Sequence, residues 1–217
     1  MLVMSRILLT GFDPFAGRPL NISALAVERL RAALPASLLH SIILPVDARR
    51  APEQLAAALQ ALRPDVCLML GQADGLATLA IERVALNLCD FRIPDNGGQE
   101  LRDQPVVSGG PAAYFATLPT QAMLEAAQAV GTPASISLSA GAFLCNMVFY
   151  AALHTCAVQG LPTRCGFVHL PLAPVQVLGE RPTPPTMALE TICAGLHAII
   201  DVLAGAEVTS GLAAAAL

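Results

Sequence analysis

Residues 134–150 read ASISLSAGAFLCNMVFY and combine a strand, a glycine turn and the start of a helix. The first six have the length and spacing of a strand. Gly141 then permits a sharp turn, and residues 146–159 form a mainly apolar run of helix length with no Pro or Gly. A strand that feeds a helix through a tight turn is half of a crossover unit, the connection that parallel strands require.

The same alternation extends in both directions. Strands are expected at 6–10, 41–46, 65–70, 81–88 and 164–170, and helices at 24–34, 51–62, 120–129 and 186–203. Asn21 or Ser23 is placed to cap the first helix, which Pro35 stops, and Pro52 sits in the first turn of the second. Residues 91–119, rich in Pro and Gly, read as a long irregular connection. Strands separated by helices predict an α/β fold: a single-domain α/β/α sandwich around a twisted, mostly parallel central sheet. It is expected to span residues 1–203, with an Ala-rich tail at 204–217.

Composition narrows the function. Of 217 residues, 55% are hydrophobic and 13% charged, enough for a large core and too apolar for disorder. Aromatics are 4% and Trp is absent, so the core is aliphatic. Mean hydropathy is +0.62, yet every apolar run is broken before about 18 residues, so no membrane span is expected. MLVMSRILLTGF has neither a basic start nor a small-residue cleavage site and does not read as a signal peptide. There is no Lys, which excludes a Walker lysine, a Schiff base and a Ser–Lys dyad. Basic residues do not cluster beyond Arg49–Arg50, so nucleic acid is not an expected partner. The six cysteines have irregular spacing and no CxxC, which fits reduced thiols and a cytoplasmic location rather than disulfides or zinc.

No GxGxxG, GxSxG, HExxH or P-loop is present, which leaves a nucleophile, a base and an orienting acid as the groups that could carry chemistry. Cys145 falls at the start of the helix that follows Gly141, where unsatisfied N–H groups favour negative charge. Spacing alone leaves it either a nucleophile or one more small buried hydrophobe. His154 and His197 read as core or half-buried helix residues and His40 as a surface residue. His169 ends a strand, the place where parallel sheets bind ligands. Glu82 shares one strand face with Val84, Leu86 and Leu88, an unusual position for an acid.

Taken together, LLTGFDPFAG with Asn21 and Ser23, GQADG, IERVALN, FRIPDNGG, GPAAYFATLP, SAGAFLCN and GFVHLP resemble the pyroglutamyl-peptidase I (pyrrolidone carboxyl peptidase) family of cysteine peptidases. The likeness covers residues 6–203 with the motifs in matching order and spacing. It implies a triad of Cys145, His169 and Glu82, and a reaction that removes an N-terminal pyroglutamyl residue through a thioester. It implies a pocket in which Phe12, Phe15 and Phe143 hold the flat lactam. Gln72 would lie near the lactam, Arg92 near the active centre, and Asn21 would tie down the first loop. Ordinary core for the three Phe and turn amides for Gln72 and Asn21 are the alternatives.

The resemblance implies no metal or organic cofactor, pyroglutamylated peptides as partners, and a homo-oligomer, with a tetramer favoured. The chain departs from the family pattern at Ala16 (usually Gly), Ile22 (usually Pro) and Ala80 (usually Ser or Thr). Two rival readings are a thiol amidohydrolase acting on other small amides and a silent relative that only binds a ligand.

Overall fold

The computed structural model describes residues 5–205. Its centre is a six-stranded sheet in the order β2-β1-β3-β8-β4-β7. The strands are β1 (Ile7–Phe12), β2 (Leu39–Leu44), β3 (Val66–Gln72), β4 (Leu79–Glu82), β7 (Ala134–Ser137) and β8 (Arg164–Leu170). β2, β1, β3 and β8 run parallel, and so do β4 and β7; the pair β4–β8 is antiparallel. The mostly parallel sheet expected from the sequence is therefore present. The reversal has a simple cause: residues 73–78 are too short for a parallel crossover, so β4 must turn back.

Among the described residues five α-helices cover the sheet: α1 (Ile22–Ala33), α2 (Arg50–Leu62), α3 (Thr120–Ala129), α4 (Leu144–Gln159) and α5 (Leu189–Gly205). Ile7, Leu9, Leu68 and Val168 pack with α1, α3 and α5 on one face. Leu8, Cys67, Met69, Cys165 and Phe167 pack with α2 and α4 on the other. Strand alternation thus builds the two aliphatic cores of a three-layer sandwich.

Several boundaries differ from the sequence reading. The expected strand 81–88 is broken at Arg83 into β4 and β5 (Val84–Leu86). Arg83 N–H still bonds Ser137 O at 2.8 Å, but its C=O accepts from Ala116 N–H at 2.9 Å, so the chain changes sheets there. β5 pairs with β6 (Ala113–Phe115), a short strand inside the stretch expected to be irregular. α1 begins at Ile22 because Asn21 is the cap, its side chain accepting from Ser23 N–H. α5 begins three residues later than expected, since Thr186 is held in a bridge to Leu172. It runs to Gly205, past the expected limit of 203; the rest of the expected tail, 206–217, lies outside the described residues. Among the described residues no helix is long and apolar enough to cross a membrane.

Candidate active site

The site grows from strand alternation on the α2–α4 face. Cys67, Met69 and Gly71 share that face of β3, and Cys165, Phe167 and His169 share that face of β8. Ala80 and Glu82 present the same face of β4. Register aligns Gly71 with His169, His169 with Ala80, and Ala80 with Ser135, so one row of residues crosses four strands.

Above this row sits the start of α4. Gly141, with φ +76°, makes the turn that a side chain would hinder. Phe143 is the N-cap, its side chain making no cap bond, and Cys145 is the second residue of the helix. The first intrahelical bond runs from Met147 N–H to Phe143 O at 3.0 Å, so the N–H groups of residues 144–146 precede the ladder. Asn146, fully buried, locks this turn in place. Its Oδ1 accepts from Leu86 N–H at 2.8 Å, and its Nδ2 donates to Leu86 O and Leu88 O, both at 2.9 Å. Gly71 provides the floor: a Cβ there would lie 2.8 Å from Cys145 Sγ and 2.7 Å from the Phe167 ring. Neither Asn146 nor Gly71 was singled out from the sequence, although both sit inside quoted motifs, FLCN and GQADG.

His169 and Glu82 are buried, with side chains 8% and 2% exposed, and Nδ1–H of the imidazole donates to Glu82 Oε1 at 2.7 Å. That leaves Nε2 free of the carboxylate, and Cys145 acts on the charge of the same ring. Burial alone would push the imidazole pKa down. Charge and hydrogen bonding from Cys145, then from Glu82, outweigh burial and raise it from 6.5 to about 9. Glu82 Oε2 is buried with no hydrogen-bond partner among the described residues. Ala80, where the resembled family carries a hydroxyl, leaves that oxygen without a donor two positions away.

A cavity of about 980 Å³ opens in front of these groups, and all nine residues singled out from the sequence line it. Phe12 is also core, 3% exposed. Phe15 and Phe143 are half-buried with ring centroids 6.2 Å apart, and Phe143 rests edge-on against Phe91 at 4.6 Å. Gln72 is anchored: its Oε1 accepts from Gln176 Nε2 at 2.8 Å and Ile22 N–H at 3.3 Å, and its Nε2 donates to Asp74 Oδ1 at 3.2 Å. Asn21 is committed too, with Nδ2 donating to Asp13 O at 3.0 Å and Oδ1 accepting from Ser23. Arg92 is exposed at the rim. Ala16 adopts φ +53°, the left-handed region in which the family's Gly is at ease.

The remaining thiols lack this setting. Burial pushes Cys89 and Cys193 up to about 11. A hydrogen bond with Cys165 and burial raise Cys156. His154 is half-buried against Tyr114, and His40 is exposed. Among the described residues no three His, Cys, Asp or Glu side chains could hold a metal ion.

A thiol at a helix start, an imidazole held protonated and a buried carboxylate behind it are the equipment of a cysteine-type hydrolase. Comparison with known proteins is more specific. The family model for pyroglutamyl peptidase matches residues 5–206, and the chain belongs to that family. Pyrrolidone-carboxylate peptidase 1 of Ralstonia nicotianae is 45% identical over 199 residues, covering 91% of this chain and 92% of the relative. The pyrrolidone-carboxylate peptidase of Thermococcus kodakarensis is 40% identical over 91% of this chain and 95% of its own. The crystal structure of pyroglutamyl peptidase I from Bacillus amyloliquefaciens superposes with a TM-score of 0.89 at 35% identity, covering 94% of this chain and 97% of that one.

Proposed function

We propose that this chain removes the N-terminal pyroglutamyl residue from peptides, with Cys145 as nucleophile, His169 as proton carrier and Glu82 as the acid that orients it. The observation that carries this reading is the buried 2.7 Å bond from His169 to Glu82, in a cavity that Cys145 also lines. Cys145 sulfur attacks the exocyclic carbonyl of the pyroglutamyl residue and forms a C–S bond. The scissile C–N bond breaks, and His169 gives its proton to the leaving amine. Water, deprotonated by His169, then hydrolyses the thioester and restores the thiol–imidazole pair. The N–H groups at the start of α4 face the developing oxyanion.

Phe12, Phe15 and Phe143 sandwich the compact, neutral lactam, for which an apolar slot with few polar contacts is suited. Gln72 and Asn21 fix the walls of that slot through their bonds to neighbouring loops, and Arg92 guards its rim. The exposure of Phe115 (72%), Val158 (64%) and Leu178 (79%) supports a homo-oligomer, and a tetramer is what the family likeness implies. Six free thiols support a reducing, cytoplasmic setting.

The test is turnover of pyroglutamyl-aminomethylcoumarin beside the matching glutaminyl amide. Release from the first alone, lost in a folded Cys145→Ala variant, is the expected result. Iodoacetamide should inactivate by labelling Cys145 first. Inactivation with Cys145 unlabelled would overturn the assignment, and light scattering that gives a monomer would overturn the assembly.

A further inference from the structure

The cavity is larger than a lactam requires. At about 980 Å³ it has room for a drug-sized ligand, and the aromatic end accounts for only part of its wall. The rest extends along the row that crosses the sheet. Gly71 lies beneath Cys145 Sγ, and from it the register runs to His169, then Ala80, then Ser135. In that direction the row passes from nucleophile to imidazole to a bare methyl to a hydroxyl. Adjacent strands lie about 4.8 Å apart, so Ser135 is roughly 14 Å from the strand beneath the sulfur. An extended peptide covers that distance in about four residues.

The chemistry of this far end is uniform. Ala80 keeps the floor low beside His169. The exposed Ser135 Oγ lies 3.0 Å from Thr78 Oγ1, and the Ser137 and Ser139 side chains continue the wall. β7 is the edge of the sheet, so the row ends at its margin. The charged groups that line the cavity are engaged elsewhere or lie at the other end. Glu82 holds His169, Arg18 holds Asp74, Asp90 pairs with Arg102, and Arg92 follows Phe91 at the aromatic end.

We infer that Ala80 and Ser135, whose hydroxyl is backed by that of Thr78, form a subsite for the leaving peptide, holding its main chain from the second to the fourth residue after the pyroglutamyl group. This inference rests on the peptidase reading above and deepens it. Paired hydroxyls donate and accept, so they suit alternating peptide N–H and C=O groups whatever the side chains. A floor without charge favours neither acidic nor basic residues. The enzyme therefore reads the length of the leaving peptide rather than its sequence.

The experiment uses the full chain and a series of pyroglutamyl oligoalanine amides with one to five alanines, beside pyroglutamyl-aminomethylcoumarin. From one to four alanines, kcat/KM should rise by roughly five- to tenfold, mainly through KM, as one or two added hydrogen bonds allow, and then level off. Ser135→Trp, which blocks the channel on an exposed edge position, should flatten the series. Thr78→Val should reduce its slope, and a melting curve reports whether each variant folds. A flat wild-type series with the coumarin amide still cleaved would overturn this subsite and leave the peptidase reading standing. Failure to cleave any pyroglutamyl compound would overturn both.

Discussion

At the scale of single residues, the site turns on what surrounds Glu82. Its Oε1 is spent on His169 and its Oε2 has no donor among the described residues. If Glu82 supports the imidazolium, Glu82→Gln should lower kcat/KM by roughly 10²-fold, the size of a general acid–base contribution. The alkaline limb of the pH–rate profile, set near 9 by His169, should move to lower pH in the same variant. Full activity in a folded Glu82→Gln protein would remove it from the mechanism. Ala80→Ser tests the orphaned oxygen. Residues 80 and 82 share a face, so a hydroxyl there can donate to Oε2 and should raise the melting temperature while kcat/KM holds or improves. A fall in both would show that the oxygen needs no partner. Each member of the trio breaks a local pattern in the sequence (an acid on an apolar face, a His at a strand end, a Cys after a glycine turn), but only the family resemblance joins the three into one expected triad. Gly71 and Asn146 break none, and their importance appears only when distant segments meet.

At the scale of elements, α4 is a buried helix whose first turn must be placed accurately, and Asn146 does this by bonding β5 and the residues that follow it. Asn146→Ala leaves two carbonyls and one N–H without their partner, a cost on the order of 3 kcal/mol. Denaturant unfolding should show that loss, and a larger drop in activity than in stability is expected because the helix carries Cys145. Unchanged stability would mean that water replaces the amide without cost. Elements of regular period were readable: β1, β3, β8 and α2 fall close to their expected spans. The break at Arg83 was not, because apolar alternation continues from β4 through β5 while the hydrogen-bond partner changes. β6 was hidden for a related reason: three residues between turns carry no periodicity.

At the scale of the whole molecule, the raised pKa of His169 ties folding to pH. The unfolded imidazole has its ordinary value of 6.5 and the folded one about 9, so folding favours the protonated form. This contribution is complete below about 6.5 and is lost as pH rises through about 9. Urea midpoints should fall across that window, and the fall should be smaller in Glu82→Gln. A flat profile would show that the fold does not hold the imidazole charged. The overall architecture was legible because strands and helices alternate along the chain. The antiparallel β4 was not, since direction depends on the reach of a loop rather than on composition. That same arrangement draws Gly71 and Glu82 from the first half of the chain and Cys145 and His169 from the second, with the exposed turn at Gly98 between them. A chain severed at that turn becomes a two-part reporter. Neither piece holds a complete set of reacting groups, so cleavage of a fluorogenic amide would signal that two fusion partners had brought the halves together.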